Sequence, residues 1–187
     1  PRPQGNTHDV YVEIAGPAAT DIHHNFVQRW NETSERNRPD GAWPHRDATG
    51  PLPFPITLSK PMGDVPAQIT RTIRRGVYSD ESAPIEGYPF PIAAGEKSVL
   101  QQYILAIDAA RDAIYIENQY LVSPEIVERL NAALDRGVEV VTVVPRRSEP
   151  RVIAARSDPR SWALFEHVSA LSFYENFTMA GLASNDG

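Results

Sequence analysis

The sequence predicts an α/β fold, on three observations. Strand-like and helix-like periodicities alternate along the 187 residues. One strand–helix–strand unit is fully spelled out over Asp112–Pro145, and the second strand of that unit is a near-continuous valine run. In DAIYIENQYLVSPEIVERLNAALDRGVEVVTVVP, Ile114, Tyr115 and Ile116 are β-branched or aromatic and read as a strand. Ser123 and Pro124 supply a hydroxyl at the N-cap and proline at the first helical position. Ile126, Leu130, Ala133 and Leu134 recur at the spacing of one buried helix face. Gly137 gives the left-handed stop. Val138, Val140, Val141, Val143 and Val144 then fit a parallel strand covered on both faces. A right-handed βαβ unit is expected. Ligands in open α/β sheets lie beyond the carboxyl ends of the strands. There the chain places Glu117, Asn118, Gln119 and Tyr120, polar groups where an apolar strand should be ending.

The other elements follow in order. Thr7–Ile14 alternates, with Val10, Val12 and Ile14 on one face, and predicts a half-buried strand. Gly16-Pro17 ends it and opens a helix whose Ala18, Ile22, Phe26 and Trp30 form an apolar stripe for a sheet. His23 and His24 sit on that helix. Adjacent residues share no helical face, so a metal pair is not expected and both read as solvated surface. Glu32–Pro66 holds seven of the chain's 17 prolines and reads as a long loop, pinned to the body by Trp43, Leu52 and Phe54, with His45 facing solvent. Ala67–Ile73 alternates as a strand interrupted by Arg71, which is either a snorkelling edge residue or an arginine aimed at a buried anion. Val77–Gly95 is a second proline- and glycine-rich connection. Glu96–Arg111 predicts a helix with Val99, Leu100, Tyr103, Ile104, Ile107 and Ala110 buried. Tyr103 and Tyr115 are expected in the core. Arg146–Ser157 reads as an exposed basic loop, Trp162–Val168 as a helix, and Leu171–Phe177 as the start of a strand. A strand–proline–helix pattern occurs twice, near Val10–Trp30 and near Ile114–Leu134, too generally to define a repeat.

Composition narrows the functional classes. The hydrophobic fraction of 41% and charged fraction of 22% are those of a globular protein. A net charge of −6 argues against a general nucleic-acid surface. Without cysteine there is neither disulfide nor thiolate chemistry. No apolar run approaches the roughly 20 residues that span a bilayer.

Ile114–Tyr120, IYIENQY, resembles the signature strand of the eukaryotic-type phospholipase D superfamily. The order of the other segments agrees. His8-Asp9-Val10, Glu13-Ile14, Gly16-Pro17-Ala18, Asn25-Phe26 and Arg29-Trp30 are similar to that family's HDxxxxIxGPAxxDxxxNFxxRW segment. Gln68–Ile73, Gln101–Arg111 and the SPEIVERLNAALDRGVEVVTVVP run also fall in family order. The resemblance covers most of the chain outside the proline-rich loops. It implies a mixed sheet flanked by helices, in two similar halves that each give one HxKxxxxD motif to a shared site. It further implies phosphodiester cleavage by a histidine nucleophile, a second histidine as general acid, lysines on the phosphate, and no cofactor or required metal.

The chain departs from the pattern at the catalytic motifs. His8, His23, His24, His45 and His167 are each followed two positions later by a residue other than lysine. By family order the first motif is expected before Pro1 and the second beyond Gly187. The fold expectation is therefore an incomplete phospholipase D-like α/β domain. Residues 1–74 would end the first half with its proline-rich loop, 75–95 connect, and 96–187 open the second half. No catalytic residue carries over. Asp9, Arg71, Glu117, Asn118, Gln119 and Tyr120 are the substrate-pocket candidates, with satisfaction of strand-end backbone as the rival role for Asn118 and Gln119.

The parent protein is expected to hydrolyse or transfer phosphatidyl groups through a phosphohistidine, with phospholipid and a peripheral membrane contact as partners, no nucleic acid, and flanking segments of the same protein completing the site. The alternatives are a cardiolipin-synthase-like transferase, or a binding or scaffold protein with a degenerate fold. The chain by itself is expected to be inactive, and marginal or self-associating through open strand edges and apolar helix faces.

Overall fold

Gly16 and Pro17 open the first helix, α1 (Pro17–Glu32), with Gly16 at a φ of +106° that a side chain would disfavour. The structure, a computed structural model, describes residues 10–32, 51–146, 148 and 150–182. Two units make up the chain, Pro1–Ser98 and Val99–Gly187. Asp9, Trp43 and His45 lie outside the described residues, as does the start of the expected Thr7–Ile14 strand. The remainder of that segment joins no sheet: Val10, Tyr11 and Val12 are exposed and irregular. Alternation alone makes no strand without a neighbour to complete its ladder.

The buried face of α1 is not the predicted one. Thr20, His24, Val27 and Gln28 are buried, whereas Ile22 is exposed and Phe26 is 55% exposed. The reading of His24 as surface is thus overturned, while His23 is exposed as expected. The reason lies in the long loop, whose described part, residues 51–66, has no regular structure. It returns onto the polar stripe of α1. Asn31 Nδ2 donates to the Leu52 carbonyl (3.0 Å), the Leu52 amide donates to Asn31 Oδ1 (2.8 Å), and the Ser59 amide donates to Thr20 Oγ1 (2.9 Å). The Phe54 ring packs against His24, tilted by 32°, at 4.7 Å between ring centroids. Leu52 and Phe54 therefore pin the loop as the sequence suggested.

The predicted Ala67–Ile73 strand contracts to β1 (Thr72–Ile73), antiparallel to β2 (Glu96–Lys97). The ladder is short because β2 passes directly into a helix at Ser98. Gly95, at φ +84°, makes the approach possible: a Cβ there would sit 2.8 Å from the Arg75 nitrogen and 2.9 Å from the Ile73 oxygen. Ile73, Tyr78 and Ile92 bury together beside this pair.

α2 (Ser98–Ala109) carries the chain into the second unit, followed by β3 (Ala113–Glu117), α3 (Pro124–Asp135) and β4 (Glu139–Pro145). β3 and β4 are parallel, with Ile114 opposite Val140 and Glu117 opposite Val143, so the predicted βαβ unit forms. Pro124 holds the first turn of α3. At its end the Gly137 amide donates to the Leu134 carbonyl and the Val138 amide to the Ala133 carbonyl, with Gly137 at φ +86°. That is a Schellman cap. The expected Arg146–Ser157 loop contains a helix, α4 (Pro150–Arg156), started by a proline. After α5 (Trp162–Ala170), Leu171–Phe173 turns once as a 3₁₀ segment, so the last strand, β5 (Phe177–Leu182), begins later than predicted. β5 is parallel to β4, and the sheet order is β3-β4-β5. Asn176 ties this strand to the end of α3 by donating from Nδ2 to the Leu134 and Val138 carbonyls (3.1 and 2.8 Å).

The core gathers Ile107, Ile126, Val127, Leu130, Leu134, Val138, Val140 and Leu171. Ile114, Ile116 and Phe177 pack onto it, so helices cover one sheet face. The other face is more open than predicted: Tyr115 is 65% exposed, and Val141 and Val143 are only half-buried. Tyr103 on α2 is exposed as well, so neither tyrosine is in the core. The architecture is an α/β fold with open sheets, the predicted class.

Candidate functional site

Three parallel strands point their carboxyl ends the same way, and the polar group predicted there sits at that edge. The Asn118 amide donates to the Val143 carbonyl (3.1 Å), continuing the β3–β4 ladder one residue past Glu117. The chain then leaves the sheet. Asn118 Oδ1 accepts the Gln119 amide (2.7 Å), which satisfies the first backbone donor released by the departing strand. The backbone role weighed for Asn118 is therefore present. Its carboxamide nitrogen and the Gln119 side chain meet no hydrogen-bond partner among the described residues, and both residues are exposed. On the open sheet face the Tyr115 hydroxyl donates to Glu117 Oε2 (3.2 Å). Desolvation, then the neighbouring Glu117 carboxylate, pushes that phenol above its usual pKa. Tyr120 is half-buried where the chain turns toward α3.

The register adds a residue that the sequence reading missed. Pro145 is opposite Leu182 and Val144 opposite Gly181, so Arg146 is the first residue beyond β4 at this same edge. A Cβ on Gly181 would touch the Arg146 backbone at 3.3 Å, so glycine lets the two strand ends close up. Only the parallel pairing reveals that Arg146, read as part of a loop, shares the edge with Glu117–Tyr120.

Arg71 belongs to the first unit. Its Nε donates to Glu96 Oε2 at 2.6 Å, and its Nη1 donates to Gln28 Oε1 (2.6 Å) and Asn25 Oδ1 (3.1 Å). Gln28 Nε2 in turn donates to the Asp80 carbonyl (2.6 Å). The Ser98 hydroxyl lies 2.7 Å from Glu96 Oε1 and accepts the Arg71 amide (2.9 Å). The anion that Arg71 meets is thus a carboxylate of its own unit.

Among the described residues no three His, Asp or Glu side chains gather to hold a metal ion. An open groove of about 440 Å³ beside α5 is lined by Trp162, Phe165, Glu166, Ser169, Ala170 and Phe173, none of them a pocket candidate. No described helix is long and apolar enough to cross a membrane.

The family model described as Phospholipase D matches residues 2–128, a span that holds α1, the Arg71 network, β3 and its polar edge. The chain belongs to the phospholipase D family. Among curated phospholipases D, it is 26% identical over 158 residues to phospholipase D alpha 2 of Oryza sativa subsp. japonica, covering 81% of this chain and 19% of that protein. It is 25% identical over 167 residues to phospholipase D alpha 1 of Arabidopsis thaliana, with the same coverage. Phospholipase D alpha 3 of Arabidopsis thaliana is 32% identical over 126 residues, 64% of this chain and 15% of that protein. The chain spans about a fifth of the length of these phospholipase D relatives.

Proposed function

We propose that this chain is part of a phospholipase D-like phosphodiesterase or transphosphatidylase and forms one wall of its phosphatidyl pocket. The observation that carries the reading is the Glu117–Tyr120 group at the carboxyl edge of a parallel sheet, in a member of the phospholipase D family. Such an edge is where α/β sheets bind ligands. In this reading the Asn118 and Gln119 carboxamides and the Arg146 guanidinium offer donors to a phosphodiester or its head group. Glu117 offers an acceptor, oriented by Tyr115. Asp9 keeps its proposed place by sequence order, and Arg71 frames the first unit through Glu96.

The chemistry comes from histidines elsewhere in the protein. One histidine nitrogen bonds phosphorus and the ester oxygen of the head group leaves, taking a proton from the second histidine. Water or an alcohol then gives its proton to that histidine and its oxygen to phosphorus, and the nitrogen–phosphorus bond breaks. The substrate is drawn from a phospholipid surface. The test compares the whole encoded protein with the pure 187-residue chain on phosphatidylcholine vesicles, with and without a primary alcohol. Turnover and a phosphatidyl-alcohol product are expected from the whole protein and neither from the chain. Turnover by the chain overturns the assignment of the chemistry to other segments. A whole protein that binds the vesicles without turnover supports a binding role instead.

A further inference from the structure

His24 is 5% exposed, yet its Nε2 has no hydrogen-bond partner among the described residues. Burying a polar atom without a partner is unfavourable, so this position needs an account. Nε2 therefore lies without a partner against surroundings that include the Phe54 ring. Neutral, this arrangement is tolerable. Protonated, it places a charge and an unsatisfied N–H inside the fold.

The neighbours sharpen the penalty. Asp21 on α1, Asp80 on the 79–82 segment and Arg71 act on the ring electrostatically, the two carboxylates favouring the charged form and the arginine opposing it. The 51–59 segment has no ionisable side chain. Desolvation is the largest influence and Arg71 the next, and together they hold the imidazole below its ordinary value. Asp80 receives Gln28 through its carbonyl, and both the Ser79 and Asp80 amides donate to the Glu32 carboxylate. His24 thus sits midway along one stripe of α1, Thr20–His24–Gln28–Asn31, that clasps two distant segments at once.

We propose that His24 is a proton-operated latch, holding the 51–59 segment onto α1 when neutral and releasing it on acidification. The sign follows from linkage. A group that is harder to protonate in the folded state stabilises the fold fully above its unfolded value, about 6.5, and less as pH falls below it. The inference is independent of whether the protein turns over phospholipid.

The test is hydrogen exchange of the Leu52 and Ser59 amides in the 187-residue chain, corrected for intrinsic rates, between about pH 7.5 and about pH 5.5. Protection is expected to hold down to about pH 6.5 and to fall by up to about tenfold per pH unit below it. In His24→Phe, which keeps a ring against Phe54 but does not titrate, protection should no longer vary with pH. Unchanged wild-type protection, or an equal loss in His24→Phe, overturns the latch and in the second case transfers the effect to Asp21 or Asp80. Should the variant fail to fold, imidazole titration of the wild type by NMR decides: one histidine titrating below the rest supports the proposal. All five titrating together overturns it.

Discussion

Replacing Glu96 by glutamine asks directly what Arg71 is for. The substitution keeps the shape of the side chain and removes its charge. Arg71 would retain Gln28 and Asn25 as acceptors, and Ser98 would lose a charged acceptor. The two side chains of the ion pair are 21% and 15% exposed, at a separation of 2.6 Å. Exposed pairs contribute up to ~1 kcal/mol, and breaking a fully buried pair costs ~3–5 kcal/mol. A mostly buried pair with two surviving acceptors falls between, so Glu96→Gln should destabilise the first unit by about 2 kcal/mol. The assay is urea unfolding in a Trp43→Phe, Trp162→Phe background, where Trp30 reports on the first unit. A cycle with Arg71→Leu should give a coupling of about 1–2 kcal/mol. A coupling near zero would refute the claim that Glu96 is the anion Arg71 is held for, and would return Arg71 to the candidates for a bound phosphate.

Leu130→Ala, at a fully buried position of the second-unit core, should cost about 3–4 kcal/mol by urea unfolding read at Trp162 in a Trp30→Phe, Trp43→Phe background; less than about 1 kcal/mol would mean that the core is not close-packed there. Gly95→Ala forces a left-handed residue, at ~1–2 kcal/mol, and drives a Cβ into the Arg75 and Ile73 backbone. It should abolish the protection of the β1–β2 amides against hydrogen exchange, and retained protection would contradict the close approach at this turn.

The second unit was legible in the sequence because its signals are local. Pro124, the three-to-four spacing of Ile126, Leu130 and Leu134, and Gly137 each act within one turn of chain and are found in the role that the sequence implied, whereas Ser123 stands at the N-cap position with its hydroxyl donating to Glu125 rather than capping the helix. The polar strand end was legible for the same reason, since IYIENQY carries its own change from apolar to polar. Arg146 was not, because its place depends on a parallel register across strands.

The first unit was misread wherever distant chain decides burial. The apolar spacing of Ala18, Ile22 and Phe26 is real, but the loop returns to the opposite stripe, where Thr20, His24 and Gln28 meet Ser59, Phe54 and Asp80. Those partners lie tens of residues away, and no periodicity within a helix encodes them. Sequence alone determined the fold class, the family resemblance, the βαβ unit and its polar edge, because helix starts, stops and strand runs depend on near neighbours. Tertiary structure decided that a histidine read as surface is buried, that Arg71 faces a carboxylate, and that Arg146 joins the strand edge, because burial and charge pairing depend on which remote segments are brought together.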